Sequence, residues 1–185
     1  AEPWLAYAHL VPGVLYLLLA PLQLAYRFRS RHYTVHRRLG RVLATAAIVS
    51  GVFASIFGSL FSFGSPSESS ATVVFGLWFL AFLVLAVRAI RRDDIVHHRR
   101  WMIRAFAIAI GVCTIRIWIG VFQASGLLDF PPSFGPAFWI AFSLHVVAAE
   151  LWLRAFPDPP EIARVSGLQA EPAAVAETVP DKGKR

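Results

Sequence analysis

The residues of this chain that could carry chemistry are few. Six are histidines: His9, His32, His36, His97, His98 and His145. Once the chain is threaded, they fall at two depths. His9 and His145 belong to one side, and His36 with His98 or His97 belongs to the other. Neutral imidazoles presented from facing helices are what a six-coordinate haem iron needs, and the same pairs suit a transition metal. The plainer reading of histidines beside arginines is a headgroup contact or a helix end, and no two of these histidines share a helix at ligand spacing.

Four further polar residues interrupt apolar stretches. Arg104 and Glu150 fall at similar depth, so an ion pair between neighbouring helices is expected and would lower the cost of both. Arg154, at i+4 from Glu150, is the alternative partner, and snorkelling to headgroups is the alternative for Arg104. Arg116 lies deeper, on a stripe of small residues, and is expected to face protein rather than lipid. Gln23 can hydrogen-bond across helices. No nucleophile elbow, phosphate-binding glycine loop, HExxH or dinucleotide fingerprint occurs, so no catalytic residue is assigned and no soluble catalytic domain is expected.

What must position these groups follows from composition. Of 185 residues, 57% are apolar and 16% charged, against about 25% charged in ordinary soluble domains. Mean hydropathy is +0.58. A small soluble fold buries only about 70% of its unfolded surface, too little to hide so much apolar area. Disordered chains, disulfide scaffolds and typical cytosolic enzymes are excluded. The single cysteine, Cys113, can make no internal disulfide and no CxxC metal site is present. The net charge is +7, but the basic residues sit between apolar runs. Anionic membrane lipid is therefore the expected partner, and nucleic acid is not.

About 20 helical residues cross the hydrocarbon core, and five segments reach that length: about 5–26, 42–63, 71–90, 101–122 and 136–156. Period-two alternation is absent, which disfavours a barrel. The expected fold is all-α: a polytopic bundle of five transmembrane helices over 1–156, followed by a disordered cytoplasmic tail over 157–185. The first turn carries Arg27, Arg29, Arg31, Arg37, Arg38 and Arg41, and the third carries Arg91, Arg92, Arg99 and Arg100. The segments 64–70 and 125–135 carry no Lys or Arg. By the positive-inside rule the N-terminus is outside and the tail cytoplasmic, in a cell inner membrane. Arg37, Arg38, Arg41, Arg99 and Arg100 are the expected lipid-headgroup contacts. A signal peptide or a further helix before Ala1 is compatible with a chain that begins without Met.

Close approach between helices in lipid needs small residues. The stripe Ala47, Gly51, Ser55 and Ser59, and the stripe Ala105, Ala109, Cys113 and Gly120, read as the contact faces. They would also allow assembly with other membrane subunits or a second copy. Trp78 and Trp118 are expected in the core, and the remaining tryptophans at the interfaces.

Three stretches carry a family resemblance. One runs from His9-Leu-Val-Pro-Gly13 through Pro21-Leu-Gln23 to His36-Arg-Arg-Leu-Gly40-Arg41. A second is His98-Arg-Arg-Trp101-Met102-Ile-Arg104, continuing to Thr114-Ile-Arg116-Ile-Trp118. The third is Ala149-Glu150-Leu-Trp-Leu-Arg154. Over about residues 5 to 155 the chain resembles the bacterial membrane proteins termed domain of unknown function 2306. The resemblance implies an inner-membrane protein sharing His9, Gln23, His36, Arg41, His98, Arg104, Arg116 and Glu150, often with one more helix ahead of the first. It departs at His145, where family members usually carry Asn, so His9, His36 and His98 rank above it. Looser likeness to small b-type cytochromes is architectural only.

Two functions remain open on these residues. One is a ligand- or lipid-binding, transport-type component or membrane subunit, with Arg116 and Glu150 lining a polar pocket. The other is a redox module holding haem b or a quinone. In that module His36 and His98 would be ligands on one side and His9 on the other, with Arg104 or Arg116 meeting propionates.

Overall fold

The computed structural model describes residues 3–63 and 65–158. Six helices follow one another: α1 Pro3–Leu24, α2 Tyr26–Arg31, α3 Tyr33–Leu60, α4 Pro66–Ile90, α5 Ile95–Ala124 and α6 Phe134–Ala155. No strand occurs among the described residues. Five of the six are long and apolar enough to cross a membrane, and α2 is the short exception. The helical form is what lipid requires, because each backbone polar group finds its partner within its own segment.

The helices outrun the expected apolar spans at the arginine-rich end. α3 begins at Tyr33 and α5 at Ile95, so His36 to Arg41 and His97 to Arg100 are helical rather than loop. The local reasons are visible. Asp94 caps α5, its side chain accepting the backbone N–H of His97 at 3.0 Å. The sequence around 27–41 contains no proline or glycine before Gly40 to stop a helix. At the other end α4 opens with Pro66 in its first turn, where a missing N–H costs nothing. It brings Glu68 inside the helix, buried, with a carboxylate oxygen accepting the Phe63 N–H at 3.0 Å.

The spanning helices run up and down. α1 lies along α3, α3 along α4, α4 along α5, and α5 returns to touch α1. These four close a ring in which α3 and α5 stand on one diagonal and α1 and α4 on the other, neither diagonal pair in backbone contact. α6 packs outside the ring, against α4 and α5. The core runs through Tyr16, Leu43, Ala47, Phe75, Phe79, Leu83, Ile108, Ile115 and Phe142. Aromatic rings hold its middle: Tyr16 meets Phe79 and Phe106 and Phe75 meets Trp139 edge to face, and Phe75 lies tilted against Phe142.

Small residues set the approach distances, though not always those the stripes suggest. On α3, Ala47 and Gly51 are buried, and a methyl at Gly51 would sit 2.9 Å from the Phe79 ring. On α5 the expected stripe is only half right. Ala105 is buried, but Cys113 and Gly120 are exposed. The packed face is instead Ala105, Ile108, Gly111, Ile115 and Ile119, with Gly111 against the Phe142 ring. Trp78, expected in the core, is 46% exposed.

Positions 159–185 lie outside the described residues, and with them almost all of the expected tail. Its first residues are described: Asp158 takes Arg99 at 2.7 Å and Arg100 at 2.6 Å. These arginines therefore fasten the end of α6 to the start of α5.

Candidate functional site

At the arginine-rich end of the ring stand four polar side chains from different helices. His36 stands on α3 and His98 on α5, across the diagonal. Each lies within electrostatic range of the other and of Arg29 on α2. Gln23, in the last turn of α1, is only 9% exposed. Its Oε1 lies 3.3 Å from where a methyl at Gly40 would project. Gly40 is one helical turn from His36, and its bare surface is what lets the Gln23 carboxamide come this close to α3.

The hydrogen-bond state of this group is uneven. His98 Nδ1 lies 2.9 Å from the Ala86 carbonyl oxygen. A carbonyl only accepts, so Nδ1 carries the proton and neutral His98 keeps its lone pair on Nε2. By contrast, Gln23 Oε1, Gln23 Nε2 and His36 Nδ1 are buried with no hydrogen-bond partner among the described residues. Each such group forfeits the hydrogen bonds it would make in water, at a cost of about 1–3 kcal/mol.

His97 does not join them. It is exposed and bound to its own helix cap, with Nδ1 2.7 Å from an Asp94 oxygen. Of the two neighbouring histidines, His98 is the one within electrostatic range of His36.

Beside this group α5 and α6 are joined by Arg104 and Glu150. Arg104 Nε donates to Glu150 Oε1 at 2.5 Å and a terminal nitrogen donates to Oε2 at 3.0 Å, the two-pronged geometry natural to guanidinium and carboxylate. The Arg104 guanidinium also lies over the Trp101 ring at 4.8 Å. Arg116 is not part of this. It is three α5 turns further on, about 18 Å by helical rise, and its side chain is exposed on the outside of the bundle. The expectation that it faces protein, and lines a pocket with Glu150, does not hold in this chain. The stripe it was placed on is itself rotated out of the packed face.

The other end of the ring presents a different arrangement. Ser50 Oγ donates to the His9 carbonyl at 2.9 Å, and His9 Nδ1 returns a bond shared between Ser50 O at 3.1 Å and Ser50 Oγ at 3.0 Å. His145, on α6, gives its Nδ1 proton to the Ala141 carbonyl at 2.8 Å. His9 and His145 are not hydrogen-bonded to each other, each being held by other partners. Ser50 escaped the sequence reading because a serine in an apolar helix ordinarily bonds within its own helix. Arg29 was legible as a basic turn residue, but its approach to the two histidines depends on the α2 bend. No cluster of three or more metal-ligating side chains occurs among the described residues.

The headgroup arginines divide. Arg37, Arg38 and Arg41 are exposed, with Arg37 5.7 Å from the Tyr33 ring. Arg99 and Arg100 are taken up by Asp158.

A family model described as predicted membrane protein, DUF2306, matches residues 6–153, which is most of the chain. No curated protein and no solved structure matches it.

Proposed function

The chain belongs to this family of predicted membrane proteins, and from that premise we propose that it is a ligand-binding component of the membrane. Its binding centre is the group Gln23, His36, His98 and Arg29, and its ligand is the head of an anionic lipid. The observation that carries this reading is the burial of both Gln23 amide atoms and His36 Nδ1 without partners. Lipid tails cannot satisfy them, whereas a phosphate oxygen accepts from Gln23 Nε2 and from Arg29 at once, and a glycerol hydroxyl of the same head donates to Gln23 Oε1. The arginine bias supports a cytoplasmic-leaflet position for this end of the ring in a bacterial inner membrane, where anionic headgroups are found. Exposed Arg37, Arg38 and Arg41 raise the local concentration of such lipids.

The test is lipid selectivity. The protein is reconstituted in vesicles of phosphatidylcholine and phosphatidylglycerol, and its retained lipid is identified by native mass spectrometry. The reading expects phosphatidylglycerol to be retained in preference, and the preference to fall at least fivefold in the Gln23→Leu/Arg29→Ala variant. Equal retention of the two lipids by the unaltered protein would remove it.

The His98 geometry favours a second reading, haem b. A lone pair on Nε2, with Nδ1–H held by a backbone carbonyl, is the state in which histidine ligates iron, and His36 stands on the opposite diagonal helix. His36 and His98 would hold the iron, and Arg29 with Gln23 would meet a propionate. The bound group would supply one-electron exchange. Adding hemin to the purified protein checks this: a Soret band that sharpens at one equivalent and is lost in His98→Ala supports it. A spectrum identical to free hemin rejects it.

A further inference from the structure

Three arginines at the end of α4 have no part in the group described above. Arg88 lies in the last turn of the helix, and Arg91 and Arg92 follow directly, the backbone still helical at Arg91. Together with Ile48 of α3 and Val84 and Val87 of α4, they line a groove of about 470 Å³ on the α3–α4 seam. α4 ends here, so Val84 lies one turn deeper in the apolar span than Arg88 and two turns deeper than Arg91. The groove is therefore cationic at its rim and aliphatic toward the middle of the helices.

No group of the chain takes up these guanidinium charges. Arg88, Arg91 and Arg92 are exposed, and no carboxylate pairs with any of them among the described residues. Asp94 is engaged by His97 and the α5 cap, and Asp93 does not line the groove. Nor are the arginines needed as caps, because the last carbonyls of α4 are already taken. Val87 O accepts the Arg91 N–H, Ala89 O accepts the N–H groups of Arg92 and Asp94, and Ile90 O accepts that of Asp93. Uncompensated cations above an aliphatic wall, between two membrane helices, match an anion that carries its own apolar body.

We propose that this groove binds a lipid whose head carries two phosphates, as that of cardiolipin does. A guanidinium pairs with a phosphate through two parallel bonds. A single phosphodiester has one charge and two free oxygens, enough for one such fork. Two phosphodiesters in one head bring twice the charge and twice the oxygens to a groove that holds three forks. An acyl chain then descends along Val87, Val84 and Ile48. The site shares no residue with the Gln23, His36, His98 and Arg29 group and does not depend on the reading given for it.

The purified protein in detergent is offered cardiolipin and phosphatidylglycerol at equal phosphate, and retained lipid is read by native mass spectrometry. Cardiolipin is expected to be retained in preference. Arg88→Gln/Arg91→Gln/Arg92→Gln lowers its retention about tenfold, the scale of one lost charge-assisted hydrogen bond. Val84→Trp, at an exposed position, fills the aliphatic wall with the arginines intact and lowers retention as well. Arg27→Gln/Arg31→Gln/Arg37→Gln removes the same charge from exposed positions outside the groove and leaves retention unchanged. Gln23→Leu/Arg29→Ala also leaves cardiolipin in place, which separates this site from the other. Thermal melts confirm that the variants are folded. Equal losses in the two arginine triples, unaltered retention in the folded Arg88, Arg91 and Arg92 variant, or displacement of cardiolipin by inorganic pyrophosphate at equal phosphate would each overturn the proposal.

Discussion

Arg104 of α5 and Glu150 of α6 are joined by two parallel hydrogen bonds, and they sit 46 residues apart in the chain. With relative side-chain exposures of 21% and 37%, the pair is neither a solvated surface bridge nor a fully dry one. In such a place the separate loss of either partner leaves the other a charge with little water, which is the more damaging change.

A double-mutant cycle should therefore be strongly non-additive. Glu150→Gln and Arg104→Gln alone are each expected to destabilise the detergent-solubilised protein by about 1–3 kcal/mol. The double variant should lose clearly less than the sum. Unfolding by mixed-micelle titration reads this, and additive losses would mean that the contact carries no coupling.

Ser50 and His9 fasten α1 to α3 through bonds running both ways. Ser50→Ala removes the hydroxyl donor and one acceptor while leaving the His9 bond to the Ser50 carbonyl. A loss of about 0.5–1.5 kcal/mol is expected, toward the lower end because polar contacts in membranes are worth little net. A larger side chain, as in Ser50→Leu, should cost more, since Ser50 Oγ already lies 2.7 Å from where a Gly13 methyl would project.

Two glycines should respond oppositely to the same added methyl. Gly51→Ala drives a carbon to 2.9 Å from Phe79 and 3.0 Å from Leu80, and overpacking of this kind costs about 1–3 kcal/mol. Gly120→Ala meets nothing within 4 Å and gains helix propensity, for an effect between zero and about 1 kcal/mol of added stability. Thermal melts of the two variants, run side by side, compare them directly. Equal losses would contradict the packing of α3 on α4.

Cysteines placed at Arg38 and Arg92, in a Cys113→Ala background, should react with a membrane-impermeant maleimide only after the bacterial envelope is opened. A cysteine at Leu127 should react in intact spheroplasts. The opposite pattern would invert the threading, and Arg38 and Arg92 reacting from different sides would dissolve it.

The sequence by itself was sufficient for the number of apolar crossings, for the concentration of arginine in alternate turns, and for the matching depths of Arg104 and Glu150. Those properties depend only on the length of each apolar run and on counting residues along it. It was a poor guide to how each helix is rotated about its own axis, right for Ala47 and Gly51 of α3 and wrong for Cys113 and Gly120 of α5. In water a helix marks its buried side with apolar residues, but lipid is as apolar as leucine, so both sides of these helices look alike. Tertiary packing alone turned Ile108, Gly111 and Ile115 inward and left Cys113, Gly120 and Arg116 outside. The same packing set α3 and α5 on a diagonal, which brings His36 toward His98 rather than His97. It also laid Ile48 of α3 beside Arg88, Arg91 and Arg92 of α4, a meeting that no count along the chain places.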